Sequence, residues 1–503
     1  MGPAALLTRL PPPLRDRTVR MNRRRKPPAD QIGTRRRYVL CWLQQALRGD
    51  DNPIVDVAIT LGNSFSLPVV VYHGVDNRYP HATARLHHFI LTASAQLQRD
   101  CERRRLRFVR YVRRPERIEP NLVRRLAAAA VAVVTDDLPT FVAPRFGSSV
   151  ASQIDVPMFG VDAACLVPPS CFPDPLTTTR GFRAAHTPLR DRYLRPADVE
   201  SQVRKFTGKL PTSDDLPGDI GTDVSAAIDT LICRCGIDLS LTKIDSPIGN
   251  RDAALNRMHD CITGVLPRYK WTRNNPSISD STTGLSPAMH FGIIGPREFT
   301  AAIKAADLHS AARWKFLDEL LTWREYYHHR ARHQTDPASL ANVPQRALDT
   351  LNHHRGDPRE TTYSLDDLVH ARTDDAVWNA AQRQFLLDGW MHNNLRMYWV
   401  KQFLRWRETP ASAWAAAAWI NDHLSLDGRD ASTYGGLRWG FGESKRGYRE
   451  IPIYGWVPPK SANAILKRTG MKDWIAEMNH RPMIQIHVDE GRAMRMYGGS
   501  THP

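Results

Sequence analysis

The sequence predicts two domains of different class: an N-terminal Rossmann-like α/β domain on a doubly wound parallel sheet, and a C-terminal all-α domain behind a long linker. Three observations carry this. Short β-branched runs alternate with amphipathic stretches from Arg37 to Pro168. Periodicity then fades over residues 169–246, where Pro, Thr and Arg dominate. From residue 247 apolar side chains recur at three- and four-residue spacing, the period of a helix. A chain of 503 residues has ample material for two cores.

In chain order, residues 1–36 have no apolar h-region and no small-residue cleavage site, so they read as a disordered basic tail and not a signal peptide. Three consecutive prolines oppose the amphipathic helix of an Arg-rich mitochondrial presequence. In the α/β domain, 37–168, strands are expected at 37–43 ("RYVLCWL"), 67–75, 105–112, 129–137 and 156–162. An amphipathic helix is expected at 81–104, between the second and third of these. Strand–helix–strand alternation argues for parallel pairing. No GxGxxG follows the first strand, so the carboxyl edge of the sheet is open to a ligand or to none. The linker, 169–246, reads as a connection wrapped over the surface with a helix at 197–209. The helical domain runs over 247–480, and 481–503 is a tail.

Lys plus Arg is 69 against 52 for Asp plus Glu, a net charge of +17 that favours a polyanionic partner such as nucleic acid. Part of this is local, because the first 37 residues hold ten arginines and one lysine against two aspartates. No run approaches the ~20 apolar residues that cross a membrane. Seven scattered cysteines, with Cys233 and Cys235 the only tight pair, fit a reduced cytoplasmic protein without a metal site.

The helical half holds the chemistry. In "WMHNNLRMYWVKQFLRW" (390–406), Trp399 and Trp406 are seven residues apart, hence on one helix face. Such spacing serves a core or a stacked pair. With "STTGLSPAMHFGIIGPREF" (281–299), "FLDELLTWREYY" (316–327), "AVWNAAQRQFLLDG" (376–389) and "INDHLSLDGRDASTYGGLRW" (420–439), the ordered series resembles the photolyase/cryptochrome flavoproteins, nearest to the class II cyclobutane pyrimidine dimer photolyases. The resemblance runs from Arg37 to about Lys467.

It implies non-covalent FAD in the helical domain and light-driven repair of UV-damaged DNA by a monomer, cytoplasmic and nucleoid-associated through its substrate. The other readings it implies are a cryptochrome-like blue-light receptor and repair of (6-4) photoproducts. An antenna chromophore, deazaflavin or folate, belongs to the α/β domain, and no local motif distinguishes the two. Thr282, Thr283, Gly284, Leu285 and Ser286 fall on the FAD pyrophosphate, with Tyr269 and Arg273 beside it. Backbone N–H groups and hydroxyls at such a turn suit an anion. Arg396 and Asp427 bracket the flavin ring, with Arg429 and Asp430 behind them, and Asn421 faces flavin N5. Glu325 and Asn393 complete the cofactor set. Trp399 is the indole nearest the flavin, Trp378 its outer partner and Trp406 a further step, for indoles are readily oxidised.

Glu319, Trp323 and Trp439 match the lesion pocket, and Lys445, Arg446 and Arg449 suit flanking phosphates. The chain departs from class II in "MHNN" (391–394), in "TWREYYHHRARH" (322–333) and in the segment after Trp439. His328 and His329 lie beside an Arg-rich face and are expected in solvent.

Overall fold

The computed structural model describes residues 4–24, 29–216, 224–244, 247–443 and 449–499. The chain forms two compact units. The first takes residues 1–260, 285–307 and 317–329, and the second takes 261–284, 308–316 and 330–503.

The first unit is built on six strands: β1 (Thr18–Arg20), β2 (Tyr38–Leu43), β3 (Val69–Val75), β4 (Arg107–Val112), β5 (Ala130–Asp136) and β6 (Met158–Val161), in the order β1-β6-β5-β2-β3-β4. The five expected strands are all present, paired in parallel. All residues of β2 and β5 are buried, as a sheet covered on both faces requires. Helix α1 (Pro53–Ser64) starts where the Asn52 side chain accepts from Ile54 N, with Pro53 at its first position. Helix α2 (Ala84–Arg103) is capped by Thr83.

Two expectations are corrected here. The tail is not disordered over its described residues: β1 pairs antiparallel with β6, Thr18 opposite Val161. Arg17 is buried beside it and donates to the carbonyls of Asp162, Cys165 and Leu166 at 3.0, 3.1 and 3.0 Å. An unpaired sheet edge recruits any chain that can complete its ladder, whatever that chain's composition. The helix expected at 197–209 is absent, and the segment is irregular. Ser201 O and Val203 N pair with the Asn63 side chain at 3.0 and 3.1 Å, and Phe206 packs edge-on against Tyr38 at 5.4 Å. Tertiary bonds outweigh local helix propensity there.

The second unit is helical. Its site is carried by α3 (Ala376–Asp388), α4 (Asn393–Trp406), α5 (Pro410–Leu424), α6 (Ala431–Arg438) and α7 (Glu490–Tyr497). The Asp375 carboxylate caps α3 at Trp378 N, 2.9 Å, and Gly389 ends it at φ +61°. Thr409 caps α5, with Pro410 first. Helix α7 lies where a tail was expected, a third correction, and Ala493 and Tyr497 are buried.

Candidate active site

The three indoles form a ladder inside the second unit. Trp378 and Trp399 stack at 6.2 Å between ring centres, 5° from parallel, and Trp378 meets Trp406 edge-on at 5.1 Å. All three are buried. Trp378 Nε1 donates to Trp399 O at 3.1 Å, and Trp399 Nε1 donates to Gln382 Oε1 at 2.8 Å. The Asp375 cap also accepts from Tyr398 Oη, tying α3 to α4 and fixing their register. From Trp406 the series continues to Tyr363, half-buried and 5.3 Å away.

At its other end Trp399 meets Phe385 edge-on at 5.7 Å, and the Arg396 guanidinium lies 5.2 Å from the Phe385 ring. Arg396 pairs with Asp427 at 3.2 Å, and Asp427 also accepts from Ser425 Oγ. Arg396 Nε is buried with no partner among the described residues. Thr433 Oγ1 donates to Asp427 O at 3.3 Å and receives Asn421 Nδ2 at 3.4 Å. Asn421 is 1% exposed, and among the described residues its amide nitrogen makes one other bond, to Asp422 Oδ1, also at 3.4 Å. Such lengths are well beyond the usual ~2.9 Å. Amide, carboxylate, guanidinium, phenyl ring and indoles thus form one continuous series.

Other expected cofactor residues are placed unevenly. Tyr269 is buried edge-on against Phe316 at 5.0 Å, with the Arg273 guanidinium 5.9 Å from its ring. Thr282, Thr283 and Gly284 are half-buried in the second unit; Gly284 has φ +68° and open space where a Cβ would stand. Leu285, buried, and Ser286, exposed, open a five-residue helix in the first unit, too short for much dipole. Asn393 is exposed at the first position of α4. The preceding His392 caps the helix, its ring kept neutral down to about 4 by burial and by Arg468, Lys460 and Arg273.

Three assignments are corrected or reduced. Glu325 lies in the first unit, where Leu166 N and His186 Nε2 reach it at 2.7 Å each; it pins the linker instead of holding a cofactor. Arg429 donates to the carbonyls of Asp422, Ser425 and Leu426, and thereby shapes the loop. Asp430 caps α6 at Ser432 N, 2.8 Å.

Glu319 and Trp323 share a widened turn of the first unit. Linker residues hold it: Arg183 on Asp318 at 2.8 Å, Arg190 on Thr322 at 2.8 Å and His186 on Glu325. His328 and His329 are buried, not in solvent; His329 Nε2 accepts from Leu176 N at 2.8 Å. In the second unit, half-buried Trp439 has the Lys401 ammonium 5.1 Å from its ring. Lys401 is itself buried, donates to Gly440 O at 3.0 Å, and is pushed down to about 7 by burial and then by Lys460. Arg449 is exposed, whereas Lys445 and Arg446 lie outside the described residues.

Phe385, Gln382, Tyr363 and Lys401 escaped the sequence reading. Gln382 had a signal, a polar residue four after Trp378 on an apolar helix face; the others have none without the fold.

A guanidinium nitrogen and an amide left short of partners beside stacked indoles suit the polar rim of a flat heteroaromatic ring, and the residues present therefore fit FAD. An α/β unit before a helical unit with this arrangement suits a flavoprotein. Residues 39–199 match the DNA photolyase family. A deoxyribodipyrimidine photo-lyase of Methanothermobacter thermautotrophicus is 29% identical over 420 residues, 84% of this chain and 89% of that one. One from Arabidopsis thaliana is 28% identical over 431 residues, 83% and 84% of the two chains. A bacterial class III photolyase from Agrobacterium tumefaciens has the same fold, with TM-score 0.64 and 20% identity over 88% of this chain and 86% of that one. The chain is thus similar to deoxyribodipyrimidine photo-lyases over most of its length, and residues 39–199 match the family's model. Among the described residues no helix is long and apolar enough to cross a membrane, and no three His, Cys, Asp or Glu gather as a metal site.

Proposed function

We propose that the chain repairs UV-damaged DNA under blue light, splitting cyclobutane pyrimidine dimers with FAD bound in the second unit. The observation that carries this is the unbroken series from Asn421 through Asp427, Arg396 and Phe385 to Trp399, Trp378 and Trp406. When bound and reduced, FAD supplies the light-driven electron that opens the cyclobutane ring and recovers it afterwards.

The chain's own residues do the rest. Arg396 and Asp427 hold the ring's polar edge, each compensating the other's buried charge. Trp399, Trp378 and Trp406 pass electrons between the interior and the surface near Tyr363. Trp439 stacks on the lesion. A damaged pair costs least to flip out of the duplex, which supplies selectivity. Lys445, Arg446 and Arg449 bind flanking phosphates without reading sequence.

The test is blue-light illumination of reduced, FAD-loaded protein with a dimer-containing oligonucleotide, following loss of dimers. Protein that takes up no FAD on refolding would sink the reading. Intact dimers with light-dependent capture of a partner protein would turn it to the receptor alternative, and consumption of (6-4) photoproducts alone would change the lesion. An absorbance spectrum of freshly purified protein separates flavin alone from flavin with a deazaflavin or folate antenna.

A further inference from the structure

We propose that the C-terminal helix α7 is a positioning element of the redox site: Tyr497, through the Asp422 carboxylate, holds the Asn421 amide with its carbonyl oxygen as the free atom. This rests on the reading that FAD lies against Asn421.

Asp422 is completely buried. Its Oδ2 accepts from Tyr434 Oη and Tyr497 Oη, each at 2.8 Å, and its Oδ1 accepts from Arg429 N at 2.7 Å and from Asn421 Nδ2 at 3.4 Å. The Arg429 guanidinium goes to backbone carbonyls, so hydroxyl and amide donors carry this carboxylate. The two ends of an asparagine amide have the same shape, and only the bonding network decides which is nitrogen. Both Asp422 oxygens already act as acceptors, so the end of the amide facing Asp422 is the N–H end. Thr433 Oγ1 spends its proton on Asp427 O and accepts the second N–H. Both amide hydrogens are therefore directed into the protein. The carbonyl oxygen is left to accept the N5–H that a flavin ring would gain on reduction.

Tyr497 stands 75 residues from Asp422 in sequence and reaches it only because α7 folds onto this unit. The other end of α7 is tied as well, since Glu490 pairs with Arg407 and accepts from Leu365 N at 3.3 Å. Helix α7 thus spans from Arg407, the residue after Trp406, to Asp422, the residue after Asn421. One element sets the end of the indole ladder and the orientation of the amide.

The experiment uses Tyr497→Phe, which keeps the ring and removes one hydroxyl donor to a buried carboxylate. Reduced, FAD-loaded protein is exposed to air and the return of the oxidised flavin spectrum is timed; amide exchange of 490–497 is measured on the apoprotein. Expected is reoxidation faster by about tenfold or more, the scale of one charge-assisted hydrogen bond. Faster exchange in α7 should accompany it. Tyr434→Phe removes the other hydroxyl on the same oxygen, and should speed reoxidation while leaving α7 protected, so the test survives if Tyr497→Phe folds badly. Combining either variant with Asn421→Ala should add nothing, because all act through one amide. Reoxidation at the parent rate in both tyrosine variants overturns the proposal alone. A parent protein that takes up no FAD overturns the reading of the site and this proposal with it.

Discussion

Buried polar groups meet different fates at the key positions of the two units. In the first, burial pushes the Asp136 carboxyl up, yet its oxygens accept from the backbone N–H of Gln44, Gln45 and Ala46 at 2.8, 3.3 and 2.9 Å. Glu325 is met by Leu166 N and His186, and Arg17 by three carbonyls. Each pins a loop to the sheet, while the His87 ring nitrogens, Asn77 Oδ1 and Gln202 Oε1 are buried without a partner among the described residues. In the second unit, Arg396 Nε, the long-bonded Asn421 amide and Trp406 Nε1 are under-satisfied along one series, beside others away from it such as Thr350 Oγ1 and Gln384 Oε1. Where such atoms line up beside stacked rings they suit an added partner.

The sharpest way to break this contrast is Trp399→Phe. The change keeps an apolar ring, so stability should fall by less than about 1.5 kcal/mol and FAD should stay bound. Photoreduction of oxidised flavin should nearly stop, because a phenyl ring resists oxidation. Repair by chemically reduced enzyme should survive. Photoreduction at the parent rate would make the ladder ordinary core. Next in size is Asp136→Ala, which strands three buried N–H groups and should cost roughly 3–5 kcal/mol in denaturant unfolding. A cost under about 1 kcal/mol would show that loop 44–46 holds without its cap.

Much of this contrast was legible in the sequence. β-branched runs between turn residues located five strands, because side chains buried on both faces leave little choice of residue type. Trp399 and Trp406 were legible as one helix face from their spacing, and Trp378 joined them only through the family resemblance. What stayed hidden depends on partners distant in sequence. β1 is three residues long, and only the open edge of β6 makes it a strand. The resemblance put Glu325 in the cofactor set and could not show its bond to Leu166, 159 residues away. Tyr497 looked like tail for the same reason.

Lys401 tests the contrast through pH. Its ammonium is pushed from an ordinary 10.5 down to about 7, so between these values the unfolded chain binds a proton that the fold does not. Stability should therefore rise with pH across that window, with the full penalty present below about 7. Lys401→Met removes the penalty. The variant should be more stable than the parent by roughly 2–3 kcal/mol at pH 6, and the gap should close towards pH 10. A gap that does not change with pH would mean Lys401 is as well accommodated as the groups of the first unit.

The smallest effect sharpens the contrast at the lesion side. Trp439 is half-buried with the Lys401 ammonium 5.1 Å from its ring, so part of the indole remains accessible. Trp439→Ala should weaken binding of dimer-containing DNA by about 1–3 kcal/mol, the scale of one base–aromatic stack, and leave photoreduction intact. Affinity for undamaged duplex should barely change, since phosphate contacts carry it. If roughly five phosphates are engaged, its log–log slope against salt stays near −4 to −5 in parent and variant alike. The ratio of damaged to intact affinity, in contrast, should be nearly independent of salt in the parent and reduced by the same factor at every salt concentration in the variant. Equal loss for both DNAs would place Trp439 on the backbone track instead of the base, and the lesion would have to be held by other residues.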